Sequence, residues 1–88
     1  MNLYKISQTQ NNDYDTYDAA VVCAPDVETA RMIDPANNVE PGTLMDEKKW
    51  ADKFNAWCSS PEAVTVELIG VAADNVAVGV VVSSYNAG

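Results

Sequence analysis

The block Ala19-Ala-Val-Val-Cys-Ala24 limits what this chain can fold into more than any other stretch. Six residues without a charged or amide side chain cannot alternate between core and water, so they read as an inner strand covered above and below. Pro25 ends the strand. Asp26 then offers an N-cap, Glu28 sits near the positive end of the helix dipole, and Val27, Ala30 and Ile33 share one helical face. The short helix should close at Asp34, because Pro35 disfavours helical geometry in the residue before it.

The flanking segments follow the same logic. Leu3 to Ser7 alternates, with Tyr4 and Ile6 on one face and Leu3, Lys5 and Ser7 on the other, which predicts a half-buried strand. Gln8 to Asp18 contains no aliphatic side chain and is rich in Asn, Asp and Thr, so it favours turns over a continued ladder. Asp34 to Gly42 is dense in turn formers and reads as a surface loop. Thr43 opens an expected second helix, in which Trp50, Ala51, Phe54, Trp57 and Cys58 form one apolar stripe read as core, closed by Ser59-Ser-Pro61. Ala63 to Val71 alternates as a strand. After the turn Ala73-Asp-Asn75, the β-branched run Val76 to Ser84 is expected to return as the second arm of a hairpin, buried on both faces. Gly79 within it suggests a bulge or a close backbone approach.

The order β-β-α-α-β-β predicts one α+β domain over residues 1–88, with a four-stranded, mainly antiparallel sheet and helices packed on one face. The two most apolar strands, Ala19–Ala24 and Val76–Ser84, are expected to lie centrally and side by side. The polar loop before the first would then lie near the polar end of the second.

Thirteen acidic residues against five basic ones and no histidine give a net charge of −8. Binding to a phosphate backbone needs clustered Lys or Arg, and only Lys48, Lys49 and Lys53 approach that, so no direct nucleic-acid binding and no docking on an anionic membrane are expected. No stretch approaches the ~20 apolar residues of a membrane span. Cys23 and Cys58 read as free thiols of a reducing compartment, Cys23 acting as a small buried hydrophobe.

The chemistry of the side chains narrows function further. Without histidine a Ser-His or Cys-His nucleophile is excluded, and the carboxylates Asp13, Asp15 and Asp18 lie in too hydrophilic a neighbourhood for pKa values to be pushed apart, so no enzyme is expected. Asp13-x-Asp-x-x-Asp18 also fails as a calcium loop: counting from Asp13, position six is Asp18 rather than Gly and position twelve is Ala24 rather than Glu. No metal or cofactor is expected. Tyr14, Tyr17 and Tyr85 offer stacking faces, and Asn11, Asn12, Asp15, Asp18 and Asn86 offer polar contacts. That set suits a flat polar ligand such as a purine, and it equally suits a protein interface or tyrosines that cap a sheet edge.

Asn11-Asn-Asp-Tyr-Asp-Thr-Tyr-Asp18, Ala30-Arg31, Trp57-Cys58 and the closing Ser84-Tyr-Asn-Ala-Gly88 resemble a family of small proteins encoded by tailed bacteriophages and prophages. The likeness covers most of the chain and is thinnest over Met32 to Asp46. In that family the aromatic residue of the ending is more often Phe, where Tyr85 stands here. The resemblance implies a phage origin and a host-cytoplasm setting, and it carries no activity with it. In that setting the expected role is an anti-defence binding protein that sequesters a nucleotide-like small molecule, as a homo-oligomer that completes the site. The alternative is an acidic inhibitor or adaptor of a host protein, or a phage component without a ligand. The acidic charge is a difficulty for any phosphate unless Arg31 or a lysine reaches the site.

Overall fold

The computed structural model describes residues 1–12, 14–36, 40 and 42–86. Four strands, β1 (Asn2–Ser7), β2 (Thr16–Ala24), β3 (Thr65–Val71) and β4 (Gly79–Asn86), form one antiparallel sheet in the order β3-β1-β2-β4. Two short helices, α1 (Val27–Met32) and α2 (Glu47–Ala51), and a 3-10 turn at Pro61–Ala63 complete the α+β architecture.

The N-terminal strands form as the alternation predicts. In β1, Tyr4 and Ile6 are buried while Lys5 is exposed. β1 pairs with β2 from Asn2↔Ala24 to Ser7↔Ala19, which places Tyr4 and Ile6 beside Val22 and Ala20. These residues meet Ala24, Ala30, Ile33, Met45, Trp50, Trp57, Cys58 and Val64 in one core on the helix side of the sheet. Asp26 caps α1 by accepting from the Thr29 amide at 2.7 Å, a bond that holds its carboxyl below the usual range. The helix ends at Met32, two residues before the expected Asp34.

From the second helix onward, three expectations fail, each for a physical reason. The C-terminal strands are not a hairpin. β3 pairs with β1 and β4 pairs with β2, so they occupy opposite edges. The turn at Ala73 does form, with the Val76 amide donating to the Ala73 carbonyl at 3.1 Å, but the chain then keeps going. It crosses the ends of the two central strands, where the Ala72 amide donates to the Met1 carbonyl at 2.9 Å and the Cys23 Sγ lies 3.7 Å from the Val76 carbonyl. Three strand gaps are roughly 14 Å, and the seven residues 72–78 can span about 24 Å, so the crossover is easily long enough.

β4 is accordingly an edge strand and not one buried on both faces, with Val81 and Val82 53% and 58% exposed. It does lie beside β2, as expected. The two strands slip register between Val21 and Val22, leaving Val81 unpaired as a bulge, while Gly79 supplies a φ of 141° that favours glycine.

The second helix is a single turn and a half. Its N-cap is Asp46, which accepts from the Lys49 amide at 2.9 Å, and it stops at Ala51. Beyond it, side chains outcompete the helical ladder: Asp52 accepts from the Phe54 amide at 2.9 Å, and Asn55 donates to the carbonyls of Lys49 and Cys58 and accepts from the Trp57 amide. Trp50, Trp57 and Cys58 still reach the core, but Phe54 is 83% exposed. Both cysteines are buried free thiols, and burial pushes the Cys58 thiol up. Among the described residues, no helix is long and apolar enough to cross a membrane.

Candidate functional site

The loop between β1 and β2 is built around one residue that composition hides. Gln8 is only 4% exposed. Its Nε2 donates to the carbonyls of Asn11 at 2.8 Å and Tyr17 at 3.0 Å, and its Oε1 accepts from the Asn11 amide at 2.7 Å. Its own backbone amide donates to the Asp18 carbonyl at 3.1 Å. A buried amide that uses both ends of its side chain in this way closes the loop upon itself. Read by residue type alone, Gln8 is just the first polar residue of a polar stretch; its value comes from sitting where β1 passes inside.

Other contacts fasten this loop to residues 56–59. The Asn11 side chain donates to the Trp57 carbonyl at 3.1 Å, and the Tyr17 amide donates to the Ala56 carbonyl at 2.8 Å. Gln10 Oε1 accepts from both the amide and the hydroxyl of Ser59, at 2.7 and 2.8 Å. Asn12 donates to the Thr9 carbonyl at 3.0 Å. The donor ends of both asparagine side chains are thus engaged within the protein.

The end of β4 meets this loop. β2 and β4 pair at Thr16↔Asn86 and Tyr17↔Tyr85, and the next pair is Ala19↔Ser84, so Asp18 is an extra residue bulged out of β2. A bulge switches the side on which the following side chains emerge. Ala19 and Val21 lie away from the helices, whereas Tyr17 packs against the core. Its ring centroid is 4.8 Å from that of Tyr85, with the planes tilted by 59°. Asp15 locks the junction: its amide donates to the Asn86 carbonyl at 2.6 Å and its Oδ1 accepts from the Tyr85 hydroxyl at 3.2 Å. It does so at a φ of 62°, a left-handed conformation that a non-glycine residue rarely holds without such contacts. Partial desolvation of the Tyr85 hydroxyl, then the Asp15 carboxylate and the neighbouring Tyr17, keep it above the ordinary tyrosine range.

Two adjoining clefts open at this junction. The first, of about 310 Å³, is lined by Asn11, Asn12, Thr16, Asp18, Ser84, Tyr85 and Asn86. The second, of about 240 Å³, is lined by Asn11, Tyr14, Asp15, Thr16, Lys53, Phe54 and Asn55. They share Asn11 and Thr16.

The residues expected from sequence therefore divide. Asn11, Asn12, Asp18, Tyr85 and Asn86 line the first cleft; Tyr14 and Asp15 line the second. Tyr17 lines neither, because its ring is taken up by the core and by Tyr85. Phe54, which the sequence pattern assigned to the core, lines the second cleft instead. Tyr14 and Phe54 are 75% and 83% exposed, far too open to serve packing. Asp13 of the acidic stretch and Ala87 and Gly88 of the closing motif lie outside the described residues. Among the described residues no three acidic or cysteine side chains cluster as a metal would need.

Charge is unevenly placed across the two clefts. The first has Asp18 as its charged lining residue, and the second pairs Asp15 with Lys53, whose Nζ lies 5.2 Å from the centre of the Phe54 ring. Arg31 does not reach either cleft; its guanidinium donates to the carbonyls of Pro61 and Val64, tying α1 to the start of β3. Lys49 is held by Asp34 at 3.2 Å. Compared with protein-family models, with curated proteins and with solved structures, the chain matches none.

Proposed function

We propose that this protein is a stoichiometric binding protein of the accessory kind that tailed phages deploy in the host cytoplasm against host defence, sequestering a flat, polar, nucleotide-like molecule. The observation that carries the reading is the meeting of the β1–β2 loop with the end of β4 at Asp15, Asn86 and Tyr85. That junction sets two clefts side by side, one lined by amides, hydroxyls and the Asp18 carboxylate, the other by exposed Tyr14 and Phe54 with Lys53 beside the Phe54 ring. A ring would lie against Tyr14 and Phe54, its polar edge would face Asn11, Thr16 and Asn86, and an anionic group would sit at Lys53, away from Asp18. The first cleft is at the lower limit of the few hundred Å³ usual for small molecules and the second just below it, so a ligand that spans both has ample room. The chain has no histidine to serve as general acid or base, so binding itself is the proposed activity.

Titration calorimetry with nucleosides, linear mononucleotides and cyclic dinucleotides tests this. Heat is expected from nucleotides, less from nucleosides, and Phe54→Ala should weaken binding by about five- to a hundredfold, the range for losing one base–aromatic stack. No heat from any of them, together with capture of one host protein by the tagged chain, would favour the inhibitor or adaptor reading instead. The net charge of −8 is the observation behind that second reading, since it suits a partner with a basic face.

A further inference from the structure

The helices, the 3-10 turn and the buried aromatics all lie on one side of the sheet. On the other side the register places Leu3, Lys5 and Ser7 of β1 beside Cys23, Val21 and Ala19 of β2, with Glu67 and Thr65 beyond on β3 and Val82 and Ser84 on β4. The crossover covers one end of this face, at Cys23. The rest is open: a shallow groove of about 180 Å³ runs along Lys5, Ala19, Val21, Val82 and Ser84. An uncovered sheet face of small apolar and hydroxyl side chains is flat enough to accept another sheet at the usual separation of about 10 Å.

Charge decides what can lie there. The chain carries −8, so an anionic membrane, a nucleic acid and a second copy are all repelled by most of its surface. This face differs. Its paired ladder positions hold one lysine and one glutamate, Lys5 and Glu67, directly opposite each other in the β1–β3 register. It is therefore neutral, and each copy offers one charge of either sign to its counterpart. A phosphate surface would find one cation beside one anion, whereas a two-fold mate finds a matching set.

We propose that the open face of the sheet is the interface of a symmetric dimer, formed by Val21, Val82, Ala19 and Ser84 around the Lys5–Glu67 pair. The proposal stands apart from the ligand reading, although the two touch at one residue: Ser84 lines both the groove and the first cleft. A partner seated on the groove would therefore lie next to that cleft at Ser84.

Sedimentation velocity across a dilution series tests the proposal on the full chain. The wild type should sediment as a dimer. Val82→Asp, at an exposed position on an edge strand, should sediment as a monomer with unchanged circular dichroism and melting. Lys5→Glu should raise the dimer dissociation constant at least about tenfold by setting like charges together, and adding Glu67→Lys to it should restore the dimer. A wild type that stays monomeric throughout, a Val82→Asp protein that remains dimeric, or a charge-swapped variant that does not recover would each overturn the proposal.

Discussion

Two irregular segments, 8–15 and 52–60, lie against each other in this protein, and they are held by opposite means. The second is anchored by volume: Trp57 is 1% exposed, and its indole Nε1 is buried without a hydrogen-bond partner among the described residues, so the ring works through packing alone. The first has no apolar anchor. A single buried amide, Gln8, fixes its shape through three hydrogen bonds. A segment pinned by packing turns its bulk inward, while one pinned by hydrogen bonds leaves the Tyr14 side chain exposed. The difference separates a supporting segment from a presenting one.

The comparison can be broken at either anchor. Trp57→Ala should give the largest effect, a loss of about 3–5 kcal/mol by denaturant titration, a large part of the 5–15 kcal/mol typical of a domain. Gln8→Leu should cost less, about 1–3 kcal/mol, by removing its side-chain bonds to the carbonyls of Asn11 and Tyr17 and to the Asn11 amide. Its effect should be local as well as global, with faster amide exchange at residues 9–12 and 14–15 than elsewhere in the sheet.

Tyr14→Ala sharpens the contrast from the functional side. Stability should stay within about 0.5 kcal/mol of wild type, since the side chain is 75% exposed, while nucleotide binding falls. Unfolding of this variant would reassign Tyr14 to a structural role. The smallest effect concerns the Tyr85–Asp15 contact. The folded pKa of Tyr85 is raised, so the contact contributes below the ordinary tyrosine value of about 10 and is lost as pH rises through the folded value. An absorbance titration of the tyrosinate band should show one late-ionising tyrosine, absent in Tyr85→Phe.

How much of this was legible in the residues depends on the range of the interaction. Alternation in Leu3–Ser7 and the apolar block Ala19–Ala24 are short-range signals, and both strands form. But β2 begins earlier, at Thr16, and is not covered on both faces as expected, because the helices lie on one side only and Ala19 and Val21 stay partly open. The Asp26 cap is equally local. The supposed hairpin failed because a turn and two β-branched runs describe only neighbours in sequence, whereas β2, with an unpaired side left over, accepts β4 from far along the chain. The long second helix failed for the reverse reason: the spacing of Trp50, Trp57 and Cys58 was right for burial, but Asp52 and Asn55 supply local backbone bonds that end the helix. The junction of loop and strand end was foreseen. What residue types could not tell was which tyrosine faces out, since that depends on the bulge at Asp18.

The strand order has a consequence for how the molecule comes into being. β1 and β2 lie in the middle of the sheet, yet both of their outer neighbours come from the last third of the chain. Tyr85 and Asp15, which close the junction, are 70 residues apart. During synthesis the central pair must wait with both edges bare until β3 and then β4 have left the ribosome, and closing such distant contacts is slow. The junction of the β1–β2 loop with β4 is therefore the last part of the sheet to assemble. A chain cut short before residue 79 would keep most of the core and still expose the unpaired flank of β2, an open template for strand addition by other chains.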